Sequence, residues 1–205
     1  MAGRAQKAVT RTEDQKRKII VSIATSADGY IARPDGGVEW LDRPRPKGNY
    51  GMGRFSRSID TILWGRKTYD LGLEMTGGNL GTGASIENYV FSRRPPRSPA
   101  KGAEFVREPI RDFVKRLRAT PGKNIWMMGG GGIIGSFLDE GEIDEFDIHV
   151  IPIFIGEGIP LIAPRHRNVP LKLRSVSRYP GGVVRLHYDV LGRGAASPKK
   201  NRPVR

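Results

Sequence analysis

Four consecutive glycines, Gly129-Gly130-Gly131-Gly132, stand between the apolar run Ile125-Trp126-Met127-Met128 and a second apolar segment, residues 133–138. A strand that empties into bare backbone and then turns into a helix makes a site for a phosphate or nucleotide. Glycine lets the chain pass close to a ligand, and the helix N-terminus adds free N–H groups and positive potential. Two other stretches carry related chemistry. Gly65-Arg66-Lys67-Thr68 opens a helix just after an apolar strand, and its amides, the Thr68 hydroxyl and two cations suit a diphosphate. Ser92-Arg93-Arg94 ends another strand, where a hydroxyl beside two guanidinium groups suits a phosphate monoester, such as the 2′-phosphate that separates NADP from NAD. All three lie at the C-terminal ends of predicted strands, where open α/β sheets place their ligands.

For these stretches to meet, strands and helices must alternate. Residues 18–25 alternate and are β-branched, a first strand. Residues 26–37 form a turn-rich loop with Asp28-Gly29 and Pro34-Asp35-Gly36-Gly37. Residues 40–48 are irregular, with Pro44 and Pro46 excluding a helix, and residues 49–58 form a short helix. Residues 59–64 are apolar on both faces, as in a buried parallel strand, and 67–73 begin the next helix. The glycine-rich stretch 76–85 is expected to be a mobile loop. Short strands follow at 88–92 and 104–106, and Arg93-Arg94-Pro95-Pro96-Arg97 cannot continue the first of them. Ile110, Phe113, Val114 and Leu117 have amphipathic helical spacing. Residues 145–155 predict a long strand with a bulge or edge position at Pro152. Residues 171–177 and 183–191 pair through Tyr179-Pro180-Gly181-Gly182. The expected fold class is α/β: a three-layer α/β/α domain over residues 18–191 whose mostly parallel central sheet ends in an antiparallel C-terminal hairpin.

Bulk properties narrow the function. A chain of 205 residues builds one domain with a full core. The absence of cysteine removes disulfides, thiolate nucleophiles and Cys-ligated metals. No spacing among His149, His166 and His187 resembles a metal site, so no metal is expected. No apolar run approaches the roughly 20 residues that span a bilayer. Residues 1–17 are polar and basic, without an apolar signal core, so a cytoplasmic protein without membrane contact is expected. The net charge is +14, of which residues 1–18 carry +4 and residues 192–205 carry +5. The excess thus sits mostly in ends (1–17 and 192–205) that read as disordered, solvated tails rather than as a specific nucleic-acid surface.

The motifs also resemble a family. Thr25-Ser26-Ala27-Asp28-Gly29-Tyr30-Ile31-Ala32 resembles the S-x-D-G-x-I-A opening of dihydrofolate reductase-like proteins, a superfamily that includes the reductase domain of riboflavin biosynthesis. Trp64-Gly65-Arg66-Lys67-Thr68-Tyr69 resembles its G-R-x-T motif, and Met128-Gly129-Gly130-Gly131 resembles its G-G-G nicotinamide loop. Residues 152–161, with Gly156-Glu157-Gly158, resemble its late P-x-x-x-G-x-G stretch. The matches run in order from about residue 18 to residue 191, as in stand-alone reductases of this type.

The resemblance implies NADPH as cofactor. Ala24 would offer backbone hydrogen bonds to the nicotinamide carboxamide, with Ile31 closing over the ring. Gly65, Arg66, Lys67 and Thr68 would hold the diphosphate and the adenosine phosphate, with Ser92 and Arg93 at the 2′-phosphate. Gly129, Gly130, Gly131, Gly132 and Ile133 would pass beneath the diphosphate and the nicotinamide ribose. The implied reaction is hydride transfer to a C=N or C=O carbon of a small pyrimidine- or pterin-like substrate. Such chemistry depends chiefly on holding two carbons near contact. A homodimer is implied by the riboflavin-type relatives.

The substrate half departs from the pattern. Dihydrofolate reductases carry a buried carboxylate on the helix after the first long loop. Here Asp42-Arg43-Pro44-Arg45-Pro46-Lys47-Gly48-Asn49 precedes a helix with no acid. Asp42, next to Trp40 and Leu41, is the candidate to face a substrate, and Trp40 is a candidate binding platform. Asp28 is a third candidate catalytic residue, although its place before Gly29 suits turn-shaping at least as well. Tyr50, Met52 and Phe55 line either the pocket or the core, Trp126 reads as core, and His149 as structural. Two rival readings stand beside the reductase. Gly130-x-Gly132-x-x-Gly135 with Glu157 formally matches a Rossmann fingerprint, but such a loop normally follows the first strand of its unit. The other is a non-catalytic nucleotide- or polyanion-binding protein on the same fold.

Overall fold

The structure, a computed structural model, describes residues 16–41, 49–94 and 96–192. The chain runs β1 (Ile19–Ser26), β2 (Tyr30–Ala32), a 3-10 turn (Glu39–Leu41), α1 (Met52–Arg57), β3 (Ile59–Gly65), α2 (Arg66–Met75), β4 (Glu87–Phe91) and β5 (Ala103–Val106). It continues through α3 (Ile110–Ala119), β6 (Asn124–Gly129), α4 (Gly131–Asp139), β7 (Glu145–Ile151), β8 (Ile159–Pro160), β9 (Leu171–Arg178) and β10 (Val184–Val190). Eight strands form one sheet in the order β5-β4-β3-β6-β1-β7-β10-β9, and β2 and β8 form a separate ribbon. Pairing is parallel from β5 across to β7 and antiparallel where β10 joins β7 and β9. This is the mostly parallel α/β sheet with an antiparallel C-terminal pair that the alternation predicts.

The strand period of two sorts the core into layers. Val21, Leu63, Met127 and Phe146 meet Phe113, Val114 and Leu117 of α3 and Ile134 and Phe137 of α4 on one face. Ile20, Ile62 and Trp64 meet Phe55 of α1 and Tyr69 of α2 on the other. Phe113 is the hub of the first layer, with Tyr89 and Phe91 edge-on to it at 5.0 Å each. Such aromatic pairs add about 0.5–1.5 kcal/mol beyond area burial.

Four local expectations are corrected. Arg17, assigned above to the N-terminal tail, is 3% exposed and bonded into the fold. The loop after β1 contains β2, whose partner β8 is too distant in sequence for local patterning to show. Pro152 neither bulges β7 nor marks an edge: β7 lies between β1 and β10 and stops at Ile151. Proline has no N–H for a ladder, and the chain turns back there, with Ile153 N–H donating to the Ile151 carbonyl at 2.8 Å. The glycine-rich stretch after α2 is anchored at Leu80, which is buried, and at Thr82, whose hydroxyl accepts from Asn88 at 3.0 Å. Among the described residues no helix is long and apolar enough to cross a membrane, and no cluster of His, Asp and Glu is placed to hold a metal.

β7 begins with a buried acid. Glu145 is met by Lys18 at 2.8 Å, Arg174 at 2.9 Å and His187 at 2.9 Å. Burial pushes its carboxyl pKa up, but the hydrogen bonds and charges of His187 and Lys18 outweigh this and bring it from 4.5 to about 2. A pKa depressed in the folded state supplies stability that is complete above the unfolded value and is lost as pH falls towards the folded one. Glu145→Gln is therefore expected to remove up to about 3 kcal/mol of pH-dependent stability between about pH 4.5 and 2. Urea melts at stepped pH check this: an acid limb as steep in the variant as in the parent refutes it.

Candidate dinucleotide site

The site begins as a gap in the sheet. β1 pairs with β6 only as far as Val21 opposite Met127, but follows β7 to Ser26 opposite Ile151. The Lys18 carbonyl points to the β6 side, accepting from Ile125 N–H at 2.8 Å, and the Ser22 carbonyl accepts there from the Trp126 indole at 2.9 Å. Alternation along the strand turns the Ala24 amide and carbonyl to that same edge, beyond the last β6 partner. Ala24 thus presents one donor and one acceptor to an opening between diverging strands.

Glycines form the opposite wall, each for a different steric reason. Gly129 has φ +108°, a region that L side chains rarely adopt, and a cis peptide joins it to Gly130. A Cβ on Gly65 would stand 3.2 Å from the Gly129 carbonyl oxygen and 3.1 Å from Ile133. A Cβ on Gly130 would stand 3.2 Å from the Thr68 hydroxyl and 3.6 Å from Ile31. Gly65, Thr68, Ile31, Gly129, Gly130 and Ile133, drawn from five elements and the turn before α4, therefore meet at one place. Gly131 is spent differently: it is buried, its Cβ would overlap the Pro160 carbonyl, and its own carbonyl accepts from Ala163 N–H at 3.0 Å. Gly132 is exposed with open space around it. In the late motif, a Cβ on Gly158 would overlap the Ala32 carbonyl, so that glycine serves the β2–β8 contact.

The basic corner is preorganised. Arg66 donates to both carboxylate oxygens of Asp70 at 2.8 Å and to the Arg94 carbonyl at 2.8 Å, tying the start of α2 to the turn after β4. Ser92 is fixed in that turn: its N–H donates to the Val106 carbonyl at 3.3 Å and its hydroxyl accepts from Arg94 N–H at 3.2 Å. Beyond it lies a groove of about 420 Å³ lined by Phe91, Ser92, Arg93, Val106, Arg107 and Glu108. Lys67 is exposed on the first turn of α2.

On the substrate side two of the three candidates lie among the described residues. The Asp28 carboxylate accepts from the amides of Ile155 at 3.2 Å and Gly156 at 2.8 Å. Hydrogen bonds from Ser26, Gly156 and Ile155 hold its carboxyl below the usual carboxylate range. It pins the loop after β7 to the loop after β1. Trp40 is 5% exposed and packs with Ile151, Val183 and Ala24, leaving its buried indole N–H without a partner among the described residues. Asp42 lies outside the described residues. Trp126 packs edge-on to Phe55 at 5.4 Å.

A cluster that no local pattern signals lies next to Ala24. His149, opposite Ala24 in the ladder, is buried and meets the Tyr50 carbonyl at 3.0 Å, which also accepts from the Tyr179 hydroxyl at 3.0 Å. Tyr50 itself has φ +52°, so these two bonds fix the chain where it enters α1.

The wider likenesses agree with this geometry. Residues 17–185 match the family model of the RibD C-terminal domain. YwjB, an uncharacterized protein of Bacillus subtilis (strain 168), is 36% identical over 173 residues, which are 84% of this chain and 98% of YwjB. The crystal structure of a proposed riboflavin biosynthesis protein from Shewanella sp. PV-4 aligns with TM-score 0.75 and 28% identity, covering 85% of this chain and 99% of that one. Dihydrofolate reductase from Enterococcus faecalis, solved with NADP(H), shares the fold at TM-score 0.59 and 14% identity, over 84% of this chain and 96% of that one. With the motifs in order, the strands in the matching sheet and the family model covering most of the chain, this protein belongs to the RibD C-terminal domain family.

Proposed function

We propose that the protein is an NADPH-dependent reductase acting on a C=N or C=O carbon of a small pyrimidine- or pterin-like substrate. Membership of the RibD C-terminal domain family supports a reductase-type function. The observation that carries the finer reading is the opening beside Ala24, walled by Gly65, Gly129 and Gly130, with a separate basic groove at Ser92 and Arg93. The residues present fit a nicotinamide dinucleotide: bare glycine backbone lines the opening, and Arg66, Lys67 and Arg93 supply cations for phosphates at neighbouring strand ends. When bound, NADPH would supply the hydride.

The chain's own part is binding and orientation. Ala24 would take the carboxamide through its free backbone pair, with Ile31 against the ring. Thr68, Lys67 and Arg66 would hold phosphate oxygens, and Gly132 and Ile133 would border the ribose. Asp42 is the proposed substrate-facing residue, the buried Trp40 packs against Ala24 rather than serving as an open platform, and Asp28 acts by positioning the loop after β7. A homodimer is proposed as well, since edge strand β9 leaves Leu171, Leu173 and Val176 exposed. A monomer mass by light scattering at micromolar concentration would remove it.

Titrations of NADPH and NADH, followed by tryptophan fluorescence, test the reading. NADPH is expected to bind at least tenfold more tightly than NADH, and Arg93→Ala is expected to cost NADPH roughly tenfold with little change for NADH. Binding of neither dinucleotide sinks the reductase reading. Equal losses in the variant would remove the 2′-phosphate assignment, and a preference for NADH would remove NADPH as the cofactor.

A further inference from the structure

The short helix on the substrate side cannot hold its own place. α1 has six residues, with Gly53 inside it and Gly51 before it supplying no side-chain cap. A helix this short is marginal alone, so its direction must be set from outside. Its entry is unusual too: Tyr50 at φ +52° and Gly51 at φ +86° are both left-handed, a conformation that the Tyr50 side chain disfavours. Two side chains hold it there through one atom. The Tyr50 carbonyl accepts from His149 Nε2 and from the Tyr179 hydroxyl, at 3.0 Å each. Because a carbonyl only accepts, His149 carries its proton on Nε2. His149 and Ala24 are register partners in a parallel pair, so both side chains leave the sheet on the face where Ile20 meets Phe55 of α1. Tyr179 is held in turn: its hydroxyl meets Arg185, whose guanidinium donates to both oxygens of the buried Asp147 at 2.5 and 2.8 Å. Asp147 and His149 share β7, so one strand anchors both arms of the clamp. The Tyr179 ring also stacks on His149 and stands edge-on to Tyr50.

We infer that His149 and Tyr179 are positioning residues for the substrate: acting through the Tyr50 carbonyl, they set how far α1 stands from the opening beside Ala24. The inference rests on the reductase reading above and deepens it, since the substrate must enter between α1 and the nicotinamide. Neither side chain needs to touch a ligand. The far end of α1 is pinned by Lys123, whose ammonium donates to the Arg57 carbonyl at 3.0 Å, and Phe55 is buried between. Releasing Tyr50 therefore moves the near end, where Met52 is only partly buried. The clamp acts on the substrate wall and leaves the glycine wall, built from β3, β6 and the turn before α4, as it was.

The test uses the full chain, as the parent and as His149→Ala, His149→Gln and Tyr179→Phe. In hydrogen–deuterium exchange, residues 49–57 should exchange about threefold to tenfold faster in His149→Ala and Tyr179→Phe, with β1 and β7 unchanged. His149→Gln should return to within about twofold of the parent, because its side-chain amide nitrogen can reach the Nε2 position. Calorimetry should find NADPH affinity within about twofold of the parent in all three variants. Binding of 6-methylpterin to the protein loaded with NADP+ should weaken about threefold to tenfold in His149→Ala and Tyr179→Phe and recover in His149→Gln. Unchanged exchange at residues 49–57 overturns the inference, as does faster exchange spread evenly over the sheet, which marks plain destabilisation. Pterin and NADPH affinities that fall together also overturn it, because the clamp would then serve the whole fold rather than the substrate side. A parent that binds NADPH but no pterin overturns it while the dinucleotide site stands; a parent that binds neither overturns both.

Discussion

Arg17→Ala is expected to destabilise the protein by about 2–4 kcal/mol and to lower its melting temperature by roughly 5–15 °C. Arg17 is a nearly fully buried cation with five acceptors: the carbonyls of Lys123 (2.9 Å) and Leu117 (3.2 Å), the hydroxyls of Thr120 (3.2 Å) and Thr61 (2.6 Å), and the Asp60 carboxylate (2.5 Å). Burial pushes the Asp60 pKa up, but the Lys123 amide, the Thr61 hydroxyl and Arg17 outweigh it, so its carboxyl sits below the usual range. Removing the guanidinium strands these acceptors. The loss stays below the roughly 3–5 kcal/mol of a fully buried broken pair because Asp60 is 31% exposed and keeps other donors. Arg17→Lys should recover little, since one ammonium cannot reach all five acceptors. Deleting residues 1–17 should cost at least as much as the alanine variant, because the Arg17 carbonyl that accepts from Arg118 and the Lys16–Asp144 pair go with it. A thermal melt of Arg17→Ala indistinguishable from the parent would show that this network contributes nothing net.

Gly131→Ala and Gly132→Ala are expected to have opposite effects, though the residues are neighbours. The new methyl at position 131 would overlap the Pro160 carbonyl and crowd the Leu161 carbonyl at 3.3 Å, both backbone atoms that cannot rotate away. α4 must then lift off the segment after β8, for an expected loss of about 2–4 kcal/mol, at the upper end of overpacking costs. Because α4 starts at the glycine wall, dinucleotide affinity should fall with it. Position 132 meets nothing within 4 Å in the first turn of the helix, so alanine there should be neutral or stabilising by about 0.5–1 kcal/mol. Any loss of NADPH affinity in Gly132→Ala would then report direct contact rather than unfolding. Equal destabilisation of the two variants would contradict the packing just described.

Much of the frame was legible because it depends on local pattern. A run apolar on both faces, residues 59–64, had to be an internal strand, and Ile110, Phe113, Val114 and Leu117 had to share one helix face. The motif glycines and the Ser92-Arg93 corner were visible for the same reason, since residue type and strand-end position are sequence properties. Misreadings arose where the deciding partner is remote. Arg17 looked like tail because its five acceptors come from residues 60–61 and 117–123. Pro152 looked like a bulge because nothing local shows that the chain turns back there.

Residue order alone determined the α/β alternation, the family and the three basic or glycine-rich stretches at strand ends, because each follows from short-range periodicity and residue chemistry. Only the tertiary structure decided how the work is divided among them. It turned one glycine run into three distinct steric requirements and one open position, brought Gly65 against Gly129, and opened the sheet beside Ala24 where β1 leaves β6. It also paired Phe91 with Val106 and so brought Ser92 and Arg107 to one groove. Close backbone approach and strand register depend on atoms far apart in the chain, and the periodicity of any one segment carries no information about them.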